Sequence, residues 1–169
     1  MPKPIFEVRD SAIQGSGAFA TRRILKGTRI VEYIGERIST EEADERYGDM
    51  SKHPHVVLFI VDKRTVIDGG AGGNDARFFN HSCEPNCQTI MEKKRIYVEA
   101  LHAIEEGDEL TYDYHLDFGV APTEEDKKQY ACLCGAASCR GTMLAPIPEK
   151  KPRAAKKVAA KKKAAKKKA

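Results

Sequence analysis

Apolar and polar residues alternate in short bursts along most of the chain. Ile5, Phe6 and Val8 open a short strand, residues 29–36 read as another, and residues 56–61 are a continuous apolar run of strand length. Asp62, Lys63 and Arg64 then supply a turn, and Thr65–Asp68 the returning strand. Residues 96–101 alternate well enough for a further strand, and Glu105, Glu106 and Gly107 turn the chain into residues 109–114. There Leu110, Tyr112 and Tyr114 fall on one face of an extended segment, with Thr111 and Asp113 on the other. Helical signals are few. Ser39 with Glu42 three residues on is a capping box for a short exposed helix over Thr40–Tyr47, and Asn74 is placed to N-cap a single helical turn over residues 75–79. Many short strands with few helices predict a mostly β (α+β) domain built from several small sheets.

Glycines and thiols interrupt that pattern. Gly15 and Gly17 bracket Ser16, and glycines this close let the backbone turn sharply or approach a ligand; taken alone they read as a hairpin. Gly69, Gly70, Gly72 and Gly73 form a loop that delivers the chain to Asn74. Residues 77–87 then read Arg-Phe-Phe-Asn-His-Ser-Cys-Glu-Pro-Asn-Cys, with Asn80 beside His81, two thiols, and Pro85 to stop any helix. A core segment has no need of that density of polar, ring and thiol groups; a site does. Further on, Cys132, Cys134 and Cys139 form a C-x-C-x4-C run. Three thiolates leave a tetrahedral zinc one ligand short, and the segment carrying Cys83 and Cys87 can supply the fourth.

Composition sharpens this picture in three respects. Five cysteines, an odd number, argue for metal or free thiols over a disulfide framework. No apolar run approaches the ~20 residues that span a bilayer, and the N-terminus lacks the apolar core of a signal peptide, so a soluble intracellular protein without membrane attachment is expected. The net charge of +4 divides unevenly: residues 150–169 hold 11 Lys and Arg and no acid, leaving 18 basic against 25 acidic residues in 1–149, so the body is near −7 and the tail +11. An acidic body attracts a Lys-rich partner, and a basic tail attracts polyanions, DNA among them, without regard to base sequence. Residues 120–131 read as a polar connector. Apolar periodicity ends at Pro146, and the density of like charge predicts a fluctuating coil over 146–169.

Three of these segments resemble the signatures of the SET-domain protein lysine methyltransferases. Residues 77–86 match R-F-x-N-H-x-C-x-P-N, residues 107–114 match G-E-E-L-x-Y-D-Y with Asp108 in place of the first Glu, and Cys132, Cys134 and Cys139 match the C-x-C-x4-C tail module called post-SET. The resemblance covers residues 5–145. It implies a β-clip of several small sheets with a knot-like threading of the C-terminal segment, divided as a SET domain over 1–119, a post-SET zinc segment over 120–145 and a basic tail over 146–169. Cys83, the thiol directly after Asn-His-Ser, would join Cys132, Cys134 and Cys139 on zinc.

The same resemblance implies S-adenosylmethionine as cofactor. Gln14, Ser16 and Gly17 would offer backbone from the glycine loop, Asn80 and His81 would bond the adenine and adjoining groups, Arg77 would frame the pocket and Phe118 would cover the adenine. The family often has Trp where this chain has Ser16. Tyr114 would be the active-site tyrosine, and Tyr112 and Tyr33 would line the lysine channel. Methyl transfer needs a neutral amine, whereas free lysine has a pKa near ~10.4, so an apolar aromatic channel assists by penalising the charged form. A hydroxyl at Tyr112 implies mainly mono- or dimethyl-lysine. The expected substrate is a Lys-rich protein, histone or histone-like, met by a monomeric enzyme in the nucleus or, in a bacterium, on the nucleoid. Two other classes compete: a non-catalytic SET-fold docking module, and a nucleoid or chromatin protein that binds DNA through residues 150–169.

Overall fold

The protein was analysed as a computed structural model, which describes residues 3–48, 58–117 and 120–146. β1 (Phe6–Asp10) and β2 (Ser16–Ala20) form a hairpin, and β3 (Arg29–Tyr33) and β4 (Glu36–Ile38) precede α1 (Thr40–Tyr47). β5 (Leu58–Asp62) and β6 (Thr65–Asp68) form a second hairpin, after which a 3-10 turn, Asp75–Phe78, leads into the two-residue β7 (Asn80–His81). β8 (Cys87–Glu92) and β9 (Arg95–Ala100) make a third hairpin, followed by β10 (Glu109–Tyr112) and α2 (Glu124–Gln129).

These strands assemble into three small sheets, β1-β2-β10-β7, β3-β9-β8 and β4-β6-β5. A mostly β fold with short helices is what the alternation predicts. β10 lies between β2, which it pairs antiparallel, and β7, which it pairs in parallel with Thr111 opposite Asn80 and Tyr112 opposite His81. The sheets close on a core of Ala18, Ile24, Phe79, Cys87, Val98, Leu110 and Tyr112, and a second cluster holds Tyr33, Val61, Ile67, Ala76 and Ile96.

Local chemistry explains most turns and corrects several expectations. Gly15 adopts φ +48°, and Ser11 N–H donates to Gly15 O at 2.8 Å, so the first glycine does serve a hairpin. Asp62 Oδ1 accepts Arg64 N–H at 3.0 Å and closes the β5–β6 turn. Ser39 Oγ accepts Glu42 N–H at 3.1 Å, but the Glu42 carboxylate pairs forward with Arg46, so only half of the expected capping box forms. Asn74 makes no capping bond either. Its Nδ2 donates to Glu32 O at 2.8 Å and its Oδ1 accepts Ile34 N–H at 3.3 Å, fastening the glycine loop to the end of β3.

Thr111 is buried although it lies on the face opposite Leu110 and Tyr112, because β10 is covered on both sides. Thr111 N–H donates to Asn86 Oδ1 at 2.9 Å, and Asn86 Nδ2 donates to Glu109 O at 2.8 Å, so one side-chain amide stands in for a missing strand. The polar connector contains α2, whose capping box joins Thr123 and Asp126. β8 carried no clear alternation and was not expected. Of the apolar run over 56–61, residues 56 and 57 lie outside the described residues, as do Phe118 and the tail from residue 147 onward. No described helix is long and apolar enough to cross a membrane.

Candidate active site

Tyr33 meets Tyr112 and Tyr114, some eighty residues further on, in one aromatic ladder. Tyr33 stands edge-on to Phe59 with ring centroids 4.6 Å apart, Phe59 lies 5.9 Å from Tyr112, and Tyr112 lies 5.0 Å from Tyr114. Tyr114 in turn meets the His81 ring edge-on at 5.3 Å. The Tyr114 hydroxyl donates to Phe79 O at 2.8 Å, which fixes the ring, whereas the buried Tyr112 hydroxyl has no hydrogen-bond partner among the described residues. Burial raises all three phenols above their ordinary pKa, so each is neutral around pH 7. Gly69 is required here: a Cβ on it would collide with the Tyr33 hydroxyl. Phe59 was missed by sequence reasoning, since in an apolar run it looks like any core residue.

Beside this ladder lies the glycine loop. Asn80 Nδ2 donates to Gln14 O at 3.2 Å, Ser16 O at 3.1 Å and Glu109 Oε1 at 2.8 Å, so Asn80 ties the loop to β10. Gln14, Gly15 and Ser16 are exposed, and their backbone is open to a ligand. Gly17 is buried, and a Cβ there would run into the Glu109 carboxylate, which Ser11 Oγ also holds at 2.8 Å. The second glycine therefore makes room for Glu109. Arg77 is exposed and stacks on Phe78 at 4.7 Å, and no described contact joins it to Asn80 or the loop. Phe118 lies outside the described residues.

His81 is buried and uses its ring inside the protein. Tyr114 N–H donates to its Nδ1 at 3.1 Å, and its Nε2 lies 3.5 Å from Cys83 Sγ, geometry that assigns the proton to Nε2. Burial pushes its pKa down to about 4, against the opposing pull of Asp113. Both ring nitrogens of His81 thus face groups of the protein itself.

The four sulfurs of Cys83, Cys132, Cys134 and Cys139 lie within 4.8 Å of one another, with Cys83 3.8 Å from Cys132 and 3.9 Å from Cys139. Each accepts at least one backbone N–H: Cys83 from Arg140, Cys132 from Cys134, Cys134 from Cys83 and Cys139 from Gly141, at 3.4 to 3.5 Å. Cys87 is buried in the core, 1% exposed, and burial pushes its thiol up to about 12, so it is no alternative ligand.

Residues 15–115 match the family model described as the SET domain. The chain belongs to the SET-domain family. It is similar to "Histone-lysine N-methyltransferase trr" of Drosophila melanogaster, 41% identical over 138 residues that make up 79% of this chain and 6% of that protein. It also resembles "Histone-lysine N-methyltransferase set-2" of Caenorhabditis elegans, 42% identical over 149 residues (82% and 9%), and "Histone-lysine N-methyltransferase, H3 lysine-4 specific" of Saccharomyces cerevisiae, 39% identical over 145 residues (82% and 13%). The chain thus spans only a small part of the length of these relatives.

In this SET domain the thiol cluster passes a simple fit test for a metal. A tetrahedron with metal–sulfur bonds of about 2.3 Å has edges of about 3.8 Å, which the two short sulfur–sulfur distances reproduce, and every sulfur has a backbone N–H directed at it. The cofactor side offers an exposed loop backbone held by Asn80 and a buried, unpartnered Tyr112 hydroxyl in the adjoining cage.

Two charged contacts of the SET domain differ from expectation. From the sequence, Glu32 and Asp113 can be read as an acid and a base or, in preference, as buried hydrogen-bond partners of backbone. Asp113 does accept His115 N–H, but it is also gripped by Arg140, which lowers its pKa although burial works to raise it. Glu32 instead pairs with Arg95 along the β3–β9 edge, Arg95 Nε to Oε1 at 2.7 Å, an ion pair remote from acid–base chemistry. No sequence signal marked Arg140.

Proposed function

We propose that this domain is a protein-lysine N-methyltransferase, moving a methyl group from S-adenosylmethionine to a lysine side chain in a basic protein, histone or histone-like, and stopping mainly at mono- or dimethyl-lysine. One observation carries the reading: a tyrosine cage ending in the anchored Tyr114 adjoins the loop that Asn80 holds. The printed names of the relatives, all histone-lysine N-methyltransferases, support it.

When bound, S-adenosylmethionine supplies a methyl carbon activated by a sulfonium. Asn80 keeps the Gln14 to Ser16 backbone in place to receive it, and the Tyr114 hydroxyl, anchored on Phe79 O, fixes one wall of the reaction space. Tyr33, Phe59 and Tyr112 disfavour an ammonium among their rings, so an entering lysine loses its proton more readily. The unpartnered Tyr112 hydroxyl bonds the amine and takes up room that further methyl groups would need. Cys83, Cys132, Cys134 and Cys139 would hold zinc, and the four thiols already join the C-terminal module to the segment carrying Asn80 and His81.

Incubation of the protein with methyl-labelled S-adenosylmethionine and a panel of histones and a bacterial histone-like protein tests the reading. Label on lysine, lost in Tyr114→Phe, is expected; absence of label from every substrate would leave the docking-module reading in its place. The 11 basic residues of 150–169 favour an additional role in holding the enzyme on DNA. Salt-dependent retention on a DNA column, unchanged by deletion of that segment, rejects that role.

A further inference from the structure

We infer that Glu109 is a positioning residue for the cofactor, its carboxylate holding the 11–16 loop from two sides through Ser11 and Asn80. This role rests on the lysine-methyltransferase reading and deepens it. Glu109 opens β10 opposite Phe19 of β2, and its carbonyl oxygen accepts a hydrogen from Asn86 Nδ2 at 2.8 Å. Its backbone is thereby fixed on the strand that carries Tyr112. A group attached to Glu109 therefore keeps a set place relative to the tyrosine cage.

One arm runs through Ser11. Its Oγ lies 2.8 Å from Glu109 Oε1 and 2.9 Å from Oε2, although the two residues are 98 apart in the chain. A hydroxyl has a single hydrogen, and once that is given to the carboxylate its lone pairs are left to accept. They take Ile13 N–H at 2.9 Å and Gln14 N–H at 3.4 Å, while Ser11 N–H donates to Gly15 O at 2.8 Å. Glu109 thus fixes the rotation of the one hydroxyl on which the start of the loop is folded.

The other arm runs through Asn80. Its Nδ2 carries two hydrogens and faces three oxygens: Glu109 Oε1 at 2.8 Å, Ser16 O at 3.1 Å and Gln14 O at 3.2 Å. The charged oxygen holds one hydrogen in the shortest and strongest bond, which leaves the other for the two loop carbonyls. A turned-over amide would press Asn80 Oδ1 against all three oxygens, so the carboxylate also decides which way the amide points. Gly17 completes the arrangement, because a Cβ there would collide with Glu109 Oε1. Without the carboxylate, hydroxyl and amide both lose their orientation, and the loop backbone that receives S-adenosylmethionine is no longer held in one form.

The test compares the full-length wild type with Ser11→Ala, Glu109→Gln and Glu109→Ala. It measures the Kd of labelled S-adenosylmethionine by equilibrium dialysis, amide exchange at Ile13 in the cofactor-free protein, and steady-state kinetics on a Lys-rich histone peptide. Glu109→Ala should weaken cofactor binding by about tenfold and Ser11→Ala by about threefold, with the KM for peptide unchanged. Exchange at Ile13 should speed up in both. Glu109→Gln fills the same space and keeps one acceptor oxygen, so its Kd should fall between those of wild type and Glu109→Ala. Ser11 lies outside the apolar clusters, so Ser11→Ala keeps the question open to measurement should Glu109→Ala fail to fold. Folded variants that melt earlier but bind the cofactor as the wild type does would reveal a purely structural carboxylate and overturn the inference. A wild type that neither binds S-adenosylmethionine nor labels the peptide rejects the methyltransferase reading itself, so the two failures are told apart.

Discussion

Arg140 grips Asp113 at two points, Nη1 to Oδ2 at 2.7 Å and Nη2 to Oδ1 at 2.9 Å, and so fastens the residue after the last cluster cysteine to the residue between Tyr112 and Tyr114. Forked pairing of this kind depends on the planar guanidinium. Arg140 N–H also reaches Cys83 Sγ at 3.4 Å, so thiol cluster and tyrosine strand share one clamp.

Arg140→Lys keeps the charge and loses the fork. Both side chains are partly exposed, so the expected loss of stability is modest, about 1–2 kcal/mol by chemical denaturation. Methyl transfer should fall by roughly 10- to 100-fold, because small displacements of a positioned tyrosine are costly. A variant as active as the wild type shows that the clamp does not position the cage.

Tyr112→Phe and Tyr114→Phe should part company. The first removes a buried hydroxyl that has no partner, so the melting temperature should hold or rise, with a gain of roughly 1 kcal/mol. Product should also shift towards trimethyl-lysine. The second strands Phe79 O, costs about 1–2 kcal/mol and lowers kcat by roughly 100-fold or more. Mass spectrometry decides the product claim: abundant trimethyl-lysine from the wild type contradicts it.

Purified protein should carry about one zinc per chain, and chelation should abolish activity. Cys83→Ser should lose most of the metal. Cys87→Ala should keep it while destabilising the core by about 1–2 kcal/mol, since Cys87 packs in the main apolar cluster. Zinc lost from Cys87→Ala but retained by Cys83→Ser would reverse the ligand assignment.

Gly69→Ala places a methyl group against the Tyr33 hydroxyl, with no open space to receive it. Expected are a loss of about 1–3 kcal/mol in stability and a fall in activity as Tyr33 is pushed along the ladder. Unchanged kinetics would remove Tyr33 from the channel.

Acid should act through Asp113. Its folded pKa lies below the ordinary 3.8, because Arg140 and His115 N–H outweigh the opposing effect of burial. The unfolded chain therefore binds the proton more readily, and the stabilisation from Asp113 is complete above about pH 4 and lost as pH falls through the folded pKa. The stability gap between wild type and Asp113→Asn, followed by denaturation from pH 6 downward, should stay level and then narrow below about pH 4. A gap independent of pH down to the acid transition contradicts this.

Much of the architecture was legible because its causes are local. Alternation marked β9 and β10, short apolar stretches marked β1 and β3, the Asp62–Arg64 turn marked β6 as a returning strand, Ser39 marked the start of α1, and Gly15 marked a hairpin. The same local signals misled where a side chain had a distant use. Asn74 looked like a helix cap and instead serves β3. Glu32 looked buried and pairs with Arg95, and β8 carried too little alternation to be seen.

By itself the sequence determined which chemical groups are available: tyrosines, an Asn-His pair, four spaced thiols, and a body and tail of opposite charge. It also determined the family, because those groups occur in three strings of fixed order. Only the tertiary structure decided which groups meet. Asn80 and Ser16 stand 64 residues apart and Arg140 and Asp113 27 apart, yet each pair is in hydrogen-bond contact. The parallel β7–β10 pairing brings Asn80 and His81 beside Thr111 and Tyr112. Such contacts depend on how sheets close around shared apolar surface, a property of the whole chain that no short stretch of residues encodes.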